Sequence, residues 1–155
     1  MADDDHPVDP GPADGAWPRV LISNRQQGVL DEEGLRTLAR DTLRGEGVDR
    51  AELSVSFVDS GEIAELHERF MDEPGATDVL SFPLDDVDGY DVRLLGDVVI
   101  APAEAERNNP ADPAAELRLL LVHGILHLLG FDHEEDDARA LMWERQERYS
   151  GVRAP

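Results

Sequence analysis

The chain reads as an α/β fold of the α+β kind, a small mixed β-sheet of about four strands covered by helices. Three observations predict it. Short stretches alternate apolar and polar residues with a period of two. Between them lie stretches with helical spacing, and the last third contains only the helical kind. The length of 155 residues supports one domain, large enough to bury roughly two-thirds of its unfolded surface.

Residues 1–18 are acidic, rich in Pro and Gly and free of any apolar run, the composition of a disordered tail. Nothing in them resembles a signal peptide. A single domain is expected over 19–155. Arg19–Ser23 predicts a first strand. Asp31–Gly45 predicts a helix, with Asp31 as its cap, Leu35, Leu38, Ala39 and Leu43 at helical spacing, and Gly45 as its stop. Leu53, Val55 and Phe57 alternate with Ser54 and Ser56, a half-buried strand ending near Val58.

A second helix is expected over Ser60–Met71, capped by Ser60, with Ile63, Leu66 and Phe70 on one face. Two more strands, Asp78–Phe82 and Gly96–Ala101, flank an acidic loop, Pro83–Arg93. Asp86, Asp88 and Gly89 give that loop a faint likeness to a calcium site. The first and twelfth ligand positions would be Leu84 and Leu95, so it reads as a solvated turn. Pro113 opens a helix that runs through Leu129 and stops at Gly130, and Glu134–Tyr149 predicts the last helix.

The chain has no cysteine, so it forms no disulfide, and any metal site must draw on His, Asp or Glu. The most apolar stretch, Leu119–Leu129, is too short to span a bilayer. These features predict a soluble cytoplasmic protein. The net charge is −21, and all 14 basic residues are arginine. Such a field repels polyanions at ordinary salt. A GC-rich genome and a salt-rich cytoplasm would produce the same bias, so the charge is compatible with a local Arg-lined groove.

His123 and His127 are four residues apart in the apolar helix, which stacks their rings on one face. Gly130 can reverse the chain and bring His133 beside them. Three His ligands would leave a tetrahedral Zn²⁺ one open position, the mark of a catalytic site. A single His in an apolar helix is usually a satisfied core residue. Three at this spacing, two of them buried together, need a shared partner.

The spacing H-x₃-H-x₅-H with Gly130 is that of metzincin proteases, except that Gly124 stands where their general-base Glu belongs. The metal geometry is kept and the protease base is lost, which implies another substrate class. Asp97 or Asp132 is a candidate to orient a ligand imidazole. Thr77, Asp78 and Ser81 are candidates to line a cleft near the metal. His67 is expected to be exposed, His6 belongs to the tail, and Leu117, Leu120 and Leu121 are core.

The segment His123-Gly-Ile-Leu-His-Leu-Leu-Gly-Phe-Asp-His133 resembles the signature of the YbeY family of bacterial ribosomal-RNA maturation nucleases. Thr77-Asp-Val-Leu-Ser-Phe-Pro83, Leu95-Gly-Asp-Val-Val-Ile100 and Met142 agree with that family, in the family's order. The resemblance implies a zinc-dependent, single-strand-specific endoribonuclease with one Zn²⁺ per chain on His123, His127 and His133. It implies a role in 16S rRNA 3′-end maturation and ribosome quality control. The partners implied are single-stranded RNA, the ribosomal RNA precursor and small-subunit proteins, with neither membrane nor DNA. Many members carry an RNA-contacting arginine six residues before Thr77; here that residue is Met71, and Arg69 lies two residues earlier.

Two other readings stay open on the residues alone. One is a peptidase or amidase using the same three histidines, against which Gly124 argues. The other is a non-enzymatic ribosome-assembly factor whose zinc pins the last two helices and is closed by a fourth protein ligand.

Overall fold

A computed structural model of the chain describes residues 11–12, 14–84 and 92–152. His6, most of the expected tail, and the calcium-like Asp86, Asp88 and Gly89 lie outside the described residues. Within them, β1 (Arg19–Asn24), β2 (Ala51–Phe57), β3 (Val79–Pro83) and β4 (Arg93–Ile100) form one sheet in the order β1-β2-β4-β3. β1 and β4 run parallel to β2, and β3 is an antiparallel edge strand on β4. The mixed four-stranded sheet expected from sequence is therefore present.

Alternation in β2 places Ala51, Leu53, Val55 and Phe57 on one face, all buried. Against that face pack α1 (Glu32–Gly45) through Leu35, Ala39 and Leu43, α3 (Pro102–Asn108) through Ala105, and α4 (Pro113–Leu128) through Leu120, Leu121 and Ile125. The opposite face receives α2 (Ser60–Met71), whose Ile63 packs with Val58, Leu80 and Val99. On the outer side of α4, Met142 of α5 (Asp136–Ser150) packs against Val122 and Leu126. Because α4 lies between the sheet and α5, it is apolar nearly all round, the exceptions being Glu116 and Arg118 in its first half and the two histidines in its second.

Several local expectations need correction. The cap of α2 is Asp59, which accepts from the Glu62 amide at 2.7 Å; Ser60 lies inside the helix and donates to Glu104 Oε2 at 2.6 Å. Helix α1 does end at Gly45, but the left-handed residue after it is Gly47 at φ +78°. β4 begins at Arg93, three residues before the expected Gly96. A bulge there breaks the period-two signal: pairing with β2 skips from Leu94 to Gly96. Gly96, at φ +129°, passes so close to the Phe82 carbonyl that a Cβ would overlap it. Helix α3 was not expected at all. It buries only Ala105, too little for an apolar period, and its one local signal is Pro102 in the first turn.

The position of α4 on the sheet depends on Gly124. A Cβ there would stand 2.6 Å from Val98 Cγ1 and 3.3 Å from Ser81 Oγ. The residue missing from the protease motif is thus a packing requirement: this face of α4 is pressed to the sheet and has no room for a glutamate. Replacing Gly124 by Ala gains about 1 kcal/mol of helix propensity, while overpacking a fully buried valine costs about 1–3 kcal/mol. We expect Gly124→Ala to lower the denaturant-unfolding free energy, and Gly124→Glu to lower it further. A variant as stable as the parent would contradict this packing.

Candidate metal centre and cleft

Helix α4 starts with Asp112, which accepts from the Ala115 amide at 3.1 Å, and with Pro113 in its first turn. It ends in a Schellman motif. The Gly130 amide donates to the His127 carbonyl at 3.0 Å, the Phe131 amide to the Leu126 carbonyl at 3.0 Å, and Gly130 sits at φ +98°. Phe131 then packs on the Val122–Leu126–Met142 cluster. Asp132 shapes the next bend by accepting from the Glu134 amide at 3.1 Å, and the Arg139 guanidinium donates to the His133 carbonyl at 3.1 Å.

These contacts bring the three rings together. Ring centroids are 4.7 Å apart for His123 and His127, 5.1 Å for His127 and His133, and 5.7 Å for His123 and His133. One nitrogen from each ring lies within 4.8 Å of the others, a group that can hold a metal ion. All three are half-buried. Among the described residues, no fourth His, Asp or Glu joins the group. An all-imidazole donor set suits a borderline cation such as zinc, so the residues present fit the ion.

Gln146 of α5, only 4% exposed, accepts from His123 Nδ1 at 2.8 Å. That bond leaves His123 Nε2 as the nitrogen free to bind. Trp143, one turn earlier on α5, stands 6.0 Å from the His123 ring and 5.8 Å from the His133 ring and backs both. Sequence reasoning offered Asp97 or Asp132 for the orienting role. Asp132 is taken up by the turn. Asp97 follows the β4 alternation onto the face opposite Val98, and Val98 is the residue that meets α4. The orienting group was missed because a glutamine in a charged helix carries no sequence signal; only the packing of α5 on α4 reveals it.

A cleft of about 500 Å³ opens over the three histidines. Thr77, Asp78 and Ser81 line it, as do Val79, Leu80, Pro83 and Met71. Ser81 Oγ donates to the Gly124 carbonyl at 3.0 Å, tying the edge strand to α4. Asn108 of α3 donates to Asp78 Oδ2 at 3.0 Å. Met71, six residues before Thr77, does face the cleft. Arg69 is not among the lining residues, and its guanidinium lies 5.9 Å from the Phe70 ring centroid. His67 is not the freely exposed residue expected. Its side chain is only 15% exposed, and its two ring nitrogens meet the Gly75 carbonyl and Glu73.

Burial holds His123 below the ordinary value of 6.5; the charge of His133 adds to this and the Gln146 bond opposes it. Burial likewise lowers His127, helped by His123 and His133 and opposed chiefly by Asp132. Both imidazoles therefore stay neutral, and able to ligate, at pH values where a free histidine is protonated. In the metal-free protein both should titrate below 6.5 by histidine NMR. The unfolded chain then takes up protons before the folded one does. Metal-free stability should accordingly fall as pH drops below 6.5 toward the folded-state values. Midpoints at or above 6.5 would contradict the burial argument. Replacing Gln146 by Leu should keep the fold and weaken zinc binding by about 10–100-fold in a chelator competition.

The family model described as Endoribonuclease YbeY matches residues 21–151. A protein of Acidothermus cellulolyticus named Endoribonuclease YbeY is 48% identical over 141 residues, covering 82% of this chain and 86% of its own. One of the same name from Beutenbergia cavernae is 46% identical over 137 residues, covering 82% and 91%. A solution structure of a Thermotoga maritima protein is 32% identical, with a TM-score of 0.58 over 84% of this chain and 87% of that one. A match that spans every element from the first strand to the last helix, histidine cluster included, shows that the chain belongs to the YbeY endoribonuclease family.

Proposed function

We propose that the chain is a zinc-dependent endoribonuclease specific for single-stranded RNA, which matures the 3′ end of 16S rRNA and serves ribosome quality control in the cytoplasm. The supporting observation is the convergence of three imidazoles on the floor of an open cleft, in a chain of this family. His123, His127 and His133 would hold one zinc per chain. A single metallohydrolase domain over 19–155 would carry the activity, with 1–18 as an acidic tail. Its partners would be the single-stranded ribosomal RNA precursor and small-subunit ribosomal proteins, not DNA. No helix among the described residues is long and apolar enough to cross a membrane.

The chemistry that bound zinc supplies is Lewis acidity, which polarises a phosphoryl oxygen and acidifies a nearby water to a pKa of about 7. The residues of the chain do the rest by placement. Gln146 sets the tautomer of His123, and Trp143 limits solvent around His123 and His133. Ser81 holds the cleft wall of β3 against α4, and Asn108 fixes Asp78, the one carboxylate among the lining residues. The peptidase reading lacks both the glutamate and the space for it at Gly124. The purely structural reading needs a fourth ligand, which the group among the described residues does not contain.

The test measures zinc content and cleavage of a single-stranded RNA, beside a casein digest, for His→Ala variants at several salt concentrations. His127→Ala should keep its fold and lose both zinc and cleavage by at least about 100-fold. Undiminished cleavage by zinc-free protein, or digestion of casein in place of RNA, would reject the proposal. The product end distinguishes the two routes of attack. A 2′,3′-cyclic phosphate reports attack by the substrate's own 2′-hydroxyl, and its absence reports attack by water.

A further inference from the structure

The cleft poses an electrostatic problem. Among the described residues its lining contains Asp78 and no arginine, in a chain of net charge −21, yet its proposed substrate is a polyanion. Binding through phosphates, the usual source of affinity for nucleic acid, is poorly supplied here. Single strands offer a second handle, because every base has an apolar face that stacks on an aromatic ring regardless of charge.

Such a ring stands next in the chain to a lining residue, beside the cleft and not among its lining. Phe70, at the end of α2, is 58% exposed, among the most exposed large apolar residues described. It directly precedes Met71, which lines the cleft and is itself 43% exposed. Its ring stands edge-on to Phe82 at 5.5 Å and 72°, and the neighbours of Phe82 on either side, Ser81 and Pro83, also line the cleft. The Phe82 contact holds the Phe70 ring in place without covering it. Helix α2 then ends at Asp72 in the left-handed conformation, φ 56°, which fixes where the last turn stops. Methionine beside it is a soft, adaptable surface of the kind that accommodates varied partners. The Arg69 guanidinium lies over the ring, 5.9 Å from its centroid.

We propose that Phe70, supported by Phe82 and flanked by Met71, is a stacking platform for one unpaired base of the RNA strand entering the cleft. It is a specificity element for single strands, since a base held in a duplex cannot lie on it. The proposal rests on the ribonuclease reading above. It also accounts for an exposed aromatic beside a cleft whose described lining has no arginine: stacking needs no positive field.

The test uses the full zinc-loaded chain and a 2′-O-methyl oligouridylate, checked to be intact after each measurement, carrying one 2-aminopurine, whose fluorescence is quenched on stacking. Wild type should quench it. Binding should hold between about 0.05 and 0.2 M salt, where a phosphate-gripping surface loses orders of magnitude. Phe70→Leu keeps the apolar bulk against Phe82 and removes the aromatic plane. It should bind about tenfold more weakly, without quenching, and raise KM on cleavable RNA with kcat little changed. Phe70→Trp should restore quenching and KM. Zinc content and the unfolding midpoint, measured in parallel, should match wild type in both variants. Equal quenching and KM for Phe70→Leu and wild type would overturn the platform and leave the ribonuclease intact. If wild type neither binds nor cleaves single-stranded RNA, the ribonuclease reading falls and the platform with it.

Discussion

At Gly130 the backbone enters the left-handed region, and the amides of Gly130 and Phe131 turn back to the carbonyls of His127 and Leu126. This reversal is the constraint on which the site depends. It satisfies helix-end carbonyls that would otherwise be unpaired, and it buries Phe131 beside Leu126. It also returns the chain along α4, so that His133 meets two rings fixed one turn apart. A helix that continued would carry His133 away from them; a looser turn would leave its ring free to rotate.

The rest of the fold holds that reversal still. One face of α4 is pressed to the sheet through Gly124 and Val98, and the other is covered by α5 through Met142. Because α5 is docked there, Gln146 reaches His123 and Trp143 reaches both His123 and His133. The edge strand β3 completes the cleft, with Ser81 bound to the Gly124 carbonyl. One glycine therefore sets both the distance between helix and sheet and the distance between the three histidines and the wall that faces them. Its absence of a side chain also removes the protease base, so packing and substrate class are decided at one position.

The electrostatics point the same way. Burial keeps His123 and His127 neutral and ready to share a cation. The chain carries a net charge of −21, and Arg69, two residues before Met71, lies over the Phe70 ring and is not among the residues lining the cleft. The large side chains offered at and beside the cleft are apolar: Met71 lines it, and the exposed Phe70 precedes Met71 in the chain.

Much of this is carried by local patterns. The alternation of Leu53, Val55 and Phe57, the cap at Asp31, the stop at Gly130 and the spacing of three histidines all act within a few residues, so the sequence by itself determined the main elements and the segment that gathers the histidines. Where the local signal was weak or broken, it failed. Helix α3 buries one alanine, the bulge at Gly96 scrambles the β4 period, and Asp59 competes with Ser60 for the same cap. Only the tertiary structure decided that Gln146 rather than Asp97 or Asp132 orients His123, that His67 is engaged outside the cleft, and that Met71 faces it while Arg69 does not. Each of these depends on which faces of distant elements come into contact, and that is set by packing and burial across the whole domain, which no local spacing encodes.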